Sequence, residues 1–290
     1  MPDIAEVPDL SIFAQNGLGV AAVEEERLIG FLCCYEPWEH AFDSEAIGTF
    51  SPMHAHGAIK ENRGMIYKRM YQYAAQKWVN RKIAYHTIAL YAHDYEAIQG
   101  LFSYGFGLRC VDAIRDMSYI KEPSLYKQLG MEVVFEELPQ EKIQDVREIR
   151  KMLSDHMGMS PCFMYSSDEQ FTSWIVRAEK RDSRVFVAKE KDKVIAYLEI
   201  QDTGENFATE VTDMKNICGA FCLPEYRGKS IHQGLINFVI EILKKEGIQR
   251  LGVDFEGFNP TASGFWLKYF DAYTNSVVRR IDECAILKDR

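Results

Sequence analysis

The stretch Phe221–Ile240, FCLPEYRGKSIHQGLINFVI, connects a predicted strand to a predicted helix through a basic turn. The apolar strand stops at Pro224, and the turn carries Arg227, Gly228 and Lys229. The first N–H groups of a helix have no partner within it, and the helix dipole favours negative charge there. The turn is therefore a predicted anion-binding site. Apolar residues follow it at helical spacing: Ile231, Leu235, Ile236, Val239, Ile240 and Leu243.

The chain contains a degenerate internal repeat with an offset of about 165 residues. Three pairs of segments share this offset, which is hard to obtain by chance. In each pair the two copies have the same predicted role: hairpins at 20–32 and 186–198, helix-opening turns at 62–64 and 226–228, and short-helix starts at 93–97 and 258–262.

The order hairpin, strand, Arg-Gly turn, helix, strand and capped short helix resembles a domain of the GCN5-related N-acetyltransferases (GNAT). The resemblance covers nearly the whole chain and implies an α/β (α+β) fold of two tandem GNAT-like domains. Each would have a mixed, mostly antiparallel central sheet flanked by helices. We expect a degenerate, N-terminally shortened domain at 1–122 and a domain with a coenzyme A-binding loop at 131–290. The segment Lys121–Gly130 between them contains Pro123 and interrupts the pattern.

The family loop usually reads Arg/Gln-x-x-Gly-x-Gly/Ala. With Arg227 at its first position, Ser230 and His232 occupy the two glycine positions of this motif. The resemblance implies that the second domain binds acetyl-CoA or another acyl-CoA through the strand and the loop. The expected cofactor contacts are Ala220, Phe221, Cys222, Arg227, Gly228, Lys229, Ser230, Ile231, His232, Gln233, Asn259 and Trp266.

The first copy of the loop places the larger residues Ile66 and Lys68 at the two glycine positions. Bulky side chains there would crowd a pyrophosphate. The first domain is therefore expected to bind coenzyme A poorly, and to act as a scaffold or as one wall of the acceptor cleft.

The implied reaction transfers an acyl group from a thioester to an amine, which must be neutral to attack. The backbone N–H of Cys222 is the expected donor to the oxyanion. Three carboxylates are candidate bases: Glu210, Asp213 and Glu256. We favour Glu256, because it ends the strand beside the place where the sheet is expected to open. The Cys222 thiol as an acyl-carrying nucleophile is an alternative.

The general acid of the family is often a tyrosine seven residues after the asparagine that caps the late helix. Counting from Asn259 gives Trp266, so the nearby Tyr269 is the candidate acid. A thiolate can also leave without a protein acid, because the pKa of a thiol is about 8.5. Asn259 followed by Pro260 also fits the N-cap and first position of a helix.

The composition argues against several other function classes. The net charge is −9 and no basic cluster stands out, which argues against nucleic-acid binding. No apolar run is long enough to span a membrane, and the start of the chain does not resemble a signal peptide. The seven cysteines include no C-x-x-C pair, which favours reduced thiols in a cytoplasmic protein. His54 and His56 alternate on a predicted strand and have no third ligand, so no metal is expected.

The sequence therefore predicts an acyl-CoA-dependent N-acyltransferase of the GNAT type, with acetyl as the expected acyl group and a small-molecule or peptide amine as acceptor. Two alternatives stay open. One is a non-catalytic ligand-binding or regulatory protein on the same scaffold, which the substitutions at Ser230, His232 and Trp266 favour. The other is an acyl or aminoacyl transferase that uses a different carrier.

Overall fold

The computed structural model describes residues 8–121, 124–180, 183–204, 206, 208–209 and 211–287. The strands, in chain order, are β1 (Val20–Glu24), β2 (Arg27–Leu32), β3 (Ile47–Ser51), β4 (His56–Ala58), β5 (Ile83–Tyr91), β6 (Gly107–Asp116), β7 (Val133–Leu138), β8 (Arg184–Glu190), β9 (Lys193–Gln201), β10 (Met214–Cys222), β11 (Arg250–Glu256) and β12 (Asp271–Arg280). The helices are α1 (Arg63–Asn80), α2 (Tyr95–Phe102), α3 (Leu125–Gln128), α4 (Arg147–Gly158), α5 (Asp168–Lys180), α6 (Ile231–Lys245), α7 (Pro260–Trp266) and α8 (Glu283–Leu287).

The chain divides by its contacts into two compact units. The first unit is Met1–Val111 with Ala272–Arg290, and the second is Asp112–Asp271. The C-terminal strand β12 belongs to the first unit because it pairs antiparallel with β5. These two units do not coincide with the domains 1–122 and 131–290 that the internal repeat predicts. Those domain boundaries remain a proposal.

The sheet of the second unit runs in the order β11-β10-β9-β8-β7. Its pairs are antiparallel except β10 with β11, which is parallel. Helix α6 contacts β7, β8 and β9, whereas α4 contacts β9 and β10. The predicted apolar stripe of α6 is buried, as its spacing requires. The expectation of a mixed, mostly antiparallel sheet flanked by helices is confirmed.

Strand β10 leaves its neighbour β11 half-way along its length. The two strands pair from Met214 to Ile217, opposite Arg250 to Val253. Further along, among the described residues, β10 pairs only with β9, and the register shifts between Ile217 and Gly219. The last residues of β10 therefore have one open edge.

The first unit differs from the expectation of one central sheet, because its strands form two groups. Strands β1, β2 and β4 form one antiparallel group, and β3, β5 and β12 pair in that order. Helix α1 supplies the largest side chains of the core: Tyr67, Tyr71 and Trp78 are at most 1% exposed.

Two histidines of the first unit, the half-buried His56 and the buried His86, are bonded to buried tyrosines. His56 Nδ1 lies 2.8 Å from the Tyr67 hydroxyl and its Nε2 lies 2.7 Å from the Ala89 carbonyl oxygen. His86 Nδ1 lies 2.8 Å from the Tyr71 hydroxyl. Both ring nitrogens of His56 are thus engaged by the protein.

His54 lies in the turn before β4, so the prediction that His54 and His56 alternate on a strand was wrong.

We expect these histidines to make the first unit acid-sensitive. Burial lowers the pKa of His56 to about 4 and that of His86 to about 3. The unfolded chain therefore binds more protons than the native chain below pH 6.5, and the free energy of unfolding falls as the pH drops towards 4. Urea unfolding between pH 8 and 4 measures this slope. His56→Gln should reduce the slope between pH 6.5 and 4, and an unchanged slope would contradict the assignment.

Candidate active site

A cavity of about 370 Å³ lies in the second unit, where the end of β10, the start of α6, α7 and α4 come together. All the predicted cofactor residues except Lys229 line it, and so does Tyr269. Glu256 is not among its lining residues. The other lining residues are Leu153, His156, Tyr226, Pro260, Thr261, Ala262, Gly264, Phe265 and Lys268.

Two residues of the loop before α6 have left-handed backbone conformations. Gly228 has φ +74° and Ser230 has φ +62°, whereas Lys229 between them does not have a positive φ. Such an alternation is typical of anion-binding backbone nests. No side chain caps the N-terminus of α6. Ser230 is in the left-handed region that glycine adopts freely, which explains why a glycine is usual at this position.

The two basic side chains of the loop fold back onto aromatic rings. Arg227 Nε donates to the Cys222 carbonyl oxygen at 3.0 Å, and the guanidinium lies 5.1 Å from the Phe221 ring centroid. Lys229 Nζ lies 5.2 Å from the Tyr226 ring centroid. Arg227 is thus anchored to β10, although the residue as a whole is exposed to solvent. Its positive charge is therefore held at a defined position beside the loop.

His232 points from the first turn of α6 towards α7. Its ring centroid lies 5.5 Å from that of Phe265 and 6.4 Å from that of Trp266. The Nε2 atom is buried and has no hydrogen-bond partner among the described residues. Burial lowers the pKa of His232 to about 4, although the Tyr197 and Phe221 carbonyls oppose this shift, so the ring is neutral at pH 7. Its side chain therefore leaves the loop amides uncovered.

The open edge of β10 presents the backbone of alternate residues. The Leu223 N–H donates to the Ile195 carbonyl oxygen of the hairpin β8–β9 at 3.0 Å. Because successive residues of a strand bond to opposite sides, Cys222 and Ala220 direct their N–H groups to the opposite edge, where β11 has diverged. The Cys222 thiol is buried, and burial raises its pKa to about 11. It is therefore a protonated thiol at neutral pH, which argues against the acyl-carrying alternative.

The late helix α7 begins as its sequence predicts. Asn259 Oδ1 accepts hydrogen bonds from the N–H groups of Thr261 at 3.1 Å and Ala262 at 3.3 Å, so its N-cap role is confirmed. Trp266 is 5% exposed and belongs to the core. Tyr269 lies beyond the end of α7, and its hydroxyl accepts from Gln233 Nε2 at 3.2 Å. This bond brings Tyr269 to the first turn of α6.

The candidate bases are separated by the structure. Glu256 ends β11, as predicted, but lies away from the cavity lining. Asp213 forms an ion pair with Arg250, so its carboxylate already has a cationic partner. Glu210 lies outside the described residues.

Sequence reasoning missed His156, which α4 brings to the cavity. Its ring centroid lies 5.9 Å from that of Phe221. Burial, and to a smaller extent the charge of Arg227, lowers the pKa of His156 below its usual value. The ring is therefore a neutral proton acceptor at pH 7. No local signal could have found it, because α4 precedes β10 by some sixty residues and only the packing of α4 on the sheet brings them together.

The equivalent site of the first unit is closed by its own backbone and by an ion pair. Arg63 Nε lies 2.9 Å from both carboxylate oxygens of Asp94, and its terminal nitrogen lies 2.6 Å from one of them. A Cβ at Gly64 would lie 2.8 Å from the Glu96 carbonyl oxygen, and one at Gly100 would lie 2.9 Å from the Gly64 carbonyl oxygen. Helices α1 and α2 are therefore in backbone contact where the second unit has its cavity.

Comparisons with known proteins agree with this geometry. Residues 147–271 match the sequence model of the acetyltransferase (GNAT) family. A search of curated proteins found no match to the chain. No described helix combines the length and the apolar character that crossing a membrane requires.

Several solved structures have a similar fold over nearly the whole chain. A GCN5-related N-acetyltransferase from Sphaerobacter thermophilus is 13% identical, with a TM-score of 0.54, over 90% of this chain and 80% of that one. A GNAT-family acetyltransferase from Colwellia psychrerythraea is 11% identical, with a TM-score of 0.50, over 91% and 85%. A functionally unknown protein from Staphylococcus epidermidis ATCC 12228 is 11% identical, with a TM-score of 0.52, over 93% and 98%. At these identities the similarity concerns the fold alone. The chain therefore carries a GNAT-family domain at 147–271, within a whole-chain fold that it shares with GNAT proteins.

Proposed function

We propose that this protein is an acyl-CoA-dependent N-acyltransferase, with acetyl-CoA as donor, and that the cofactor binds in the cavity between α6 and α7. The observation that carries the proposal is the combination of an anion-binding loop and an open strand edge in one cavity. A phosphorylated carrier with a long amide-containing arm needs both features. The acceptor is a small-molecule or peptide amine.

The residues present fit such a cofactor. The amides of Gly228 to Gln233 would hold its phosphates, because they are uncapped and lie at the positive end of the α6 dipole. The open edge of Ala220 and Cys222 would pair with its amide-bearing arm, as a strand edge pairs with an added strand. When bound, the cofactor supplies an activated thioester. We propose the Cys222 N–H as the donor to the charge that develops on the thioester carbonyl oxygen at this edge.

We assign the proton steps to His156 and Tyr269, which line the cavity, and keep Glu256 at the end of β11 as a further candidate. The acceptor amine must lose a proton to attack, and a base near neutrality does this best. We propose His156 for this role beside the earlier candidate Glu256, since the neutral His156 ring lines the cavity. Tyr269 is the candidate acid, with its hydroxyl held by Gln233.

The seven free cysteines fit our proposal of a cytoplasmic location, and we propose no nucleic-acid partner.

A second candidate is a non-catalytic ligand-binding protein. One observation favours it: Trp266, at the position where the family often has its acid, is part of the core. In this case the cavity would bind the carrier without turnover, and the first unit would serve as a scaffold in either case.

Isothermal titration of the pure protein with acetyl-CoA and with coenzyme A tests the proposal. We expect micromolar binding with a rise in the melting temperature, followed by release of free thiol when a panel of amines is added. Absence of both heat and thermal stabilisation with acetyl-CoA, coenzyme A and longer acyl-CoAs would exclude the acyltransferase. Binding without thiol release over the panel would favour the ligand-binding protein.

A further inference from the structure

The strand β1 has an unpaired outer edge in the first unit. It is the terminal strand of the sheet β1-β2-β4, and among the described residues it pairs only with β2. Val20 and Ala22 face the core, whereas Val23 is 62% exposed. A bare strand edge is a template for pairing with another strand.

A groove of about 760 Å³ separates this edge from α1. Ile66 and Met70 of α1 form its apolar floor, and Arg69, Tyr73 and Lys77 form its rim. The Tyr73 side chain is 72% exposed. The groove is thus apolar in its depth and cationic at its margin.

The second repeat shows what fits into such a groove. Its hairpin β8–β9 corresponds to β1–β2, and the outer edge of β8 pairs with β7. Phe135 of β7 packs against α6: a Cβ at Gly234 would lie 2.6 Å from its ring, and the Phe238 ring centroid lies 6.2 Å away. The starts of the two helices, 62–64 and 226–228, are offset by 164 residues, so Gly234 and Phe238 correspond to Met70 and Ala74. The groove of the first unit therefore has the position of one missing strand.

The described residues before β1 do not fill this place. Phe13 lies 5.2 Å from Tyr35 and 5.5 Å from His54 between ring centroids, and Asn16 Nδ2 donates to the Cys34 carbonyl oxygen at 2.7 Å. These partners follow β2 or precede β4. The chain thus reaches β1 from the side of the hairpin that faces β4, which is opposite to the open edge of β1.

We propose that a second copy of this chain fills the groove, with its own β1 antiparallel to the first and Ala22 on the two-fold axis. In this register Glu24 of one copy lies opposite Val20 of the other. Val20 is next to Gly19, whose carbonyl oxygen accepts from Lys77 Nζ at 2.7 Å. Val20, Ala22 and Glu24 alternate onto one face, which faces α1. The dimer therefore forms two symmetric Glu24–Lys77 ion pairs, and each groove receives the other copy's Val20 and Ala22.

The hydrogen-bonding pattern of the hairpin gives the same register. The Ile59 N–H donates to the Ile29 carbonyl oxygen at 2.9 Å, so Ile29 bonds towards β4 and Gly30 towards β1. Gly30 is opposite Ala22, so Ala22 bonds towards β2 and Ala21 directs its N–H to the open edge. Ala21 of one copy then pairs with Val23 of the other on both sides of the axis.

Sedimentation velocity of the full chain over a concentration series tests the dimer. We expect a dimer with a micromolar or lower Kd. Ala21→Pro removes the outward N–H without removing a bond to β2, and proline is tolerated at such edge positions. It should raise the Kd at least 100-fold, whereas Ala21→Ser, which keeps the N–H, should change it less than threefold. Circular dichroism and melting curves show whether each variant is folded.

A second variant tests the charges independently. Glu24→Lys places like charges opposite Lys77 at both symmetric positions and should raise the Kd about tenfold. The proposal is overturned if the wild-type chain is a monomer at all concentrations. It is equally overturned if a dimer forms whose Kd responds to neither Ala21→Pro nor Glu24→Lys, because the interface would then lie elsewhere. Neither outcome bears on the proposed acyltransferase activity.

Discussion

Acetyl-CoA binding is expected to weaken at least 100-fold when Gly228 is replaced by proline. Gly228 has φ +74°, and proline requires φ near −65° and has no N–H. The substitution therefore reshapes the loop and removes one of the amides proposed to hold the phosphates. Isothermal titration measures the loss, which corresponds to about 2.7 kcal/mol or more.

Gly228→Ala is the matched control for this loop. A Cβ at Gly228 would have no atom within 4 Å, so alanine introduces no clash and keeps the N–H. It has only the cost of a positive φ, about 1 kcal/mol, and should weaken binding less than about tenfold. Equal affinities for the proline and alanine variants, both folded by circular dichroism, would show that the loop amides do not hold the cofactor. A wild-type protein that does not bind at all would instead exclude the cofactor itself.

The second large effect concerns stability. Arg150 of α4 and Glu199 of β9 form a buried ion pair, with a terminal nitrogen of Arg150 2.7 Å from Glu199 Oε2. The two residues are 1% and 2% exposed, and the guanidinium lies 5.6 Å from the Trp174 ring centroid. Arg150→Met leaves the Glu199 carboxylate buried without its cation. We expect the free energy of unfolding to fall by about 3–5 kcal/mol.

The double variant Arg150→Met with Glu199→Leu separates charge from packing. Removing both charges abolishes the desolvation cost, so the double variant should recover most of the loss of the single variant. Urea unfolding at pH 7 measures all three proteins. Losses that simply add in the double variant would show that Arg150 acts through packing alone.

This ion pair also bears on the site. It joins α4 to β9, and the same helix carries His156 and Leu153 into the cavity. Loss of the pair should therefore affect the part of the cavity that α4 lines, where the candidate base His156 lies, more than the loop before α6. A variant that retains acetyl-CoA binding but loses thiol release would fit this order.

Much of the fold was predictable because its signals are local. The hairpins β1–β2 and β8–β9, the basic turn before α6 and the asparagine cap of α7 each depend on a few consecutive residues. Helix α5 begins after Ser167, whose Oγ accepts from the Gln170 N–H at 3.2 Å, as its capping sequence predicts. The resemblance to GNAT domains, which rests on the order of these elements, then implied the mixed, mostly antiparallel sheet flanked by helices.

Other features could not be predicted because they depend on residues that are far apart in the sequence. His156 became a site residue only through the packing of α4, and the closed first-unit site depends on the Arg63–Asp94 ion pair. The anchoring of the Arg227 guanidinium to the Cys222 carbonyl oxygen likewise depends on how the loop folds back onto β10. Such contacts carry no sequence signal of their own.

The sequence by itself determined the elements, the repeat and the position of the anion-binding turn, since these follow from periodicity, capping and turn chemistry. Only the tertiary structure decided which turn opens onto a cavity. Both repeats carry an Arg-Gly pair, but Arg63 and Gly64 are the first two residues of α1, which contacts α2 at Gly64 and Gly100. Arg227 and Gly228 instead precede α6, and the start of α6 lines the cavity that α7 also borders. The distance between two helices is set by side chains on both of them. The same reason holds for the pairing of β12 with β5, which places the end of the chain in the first unit.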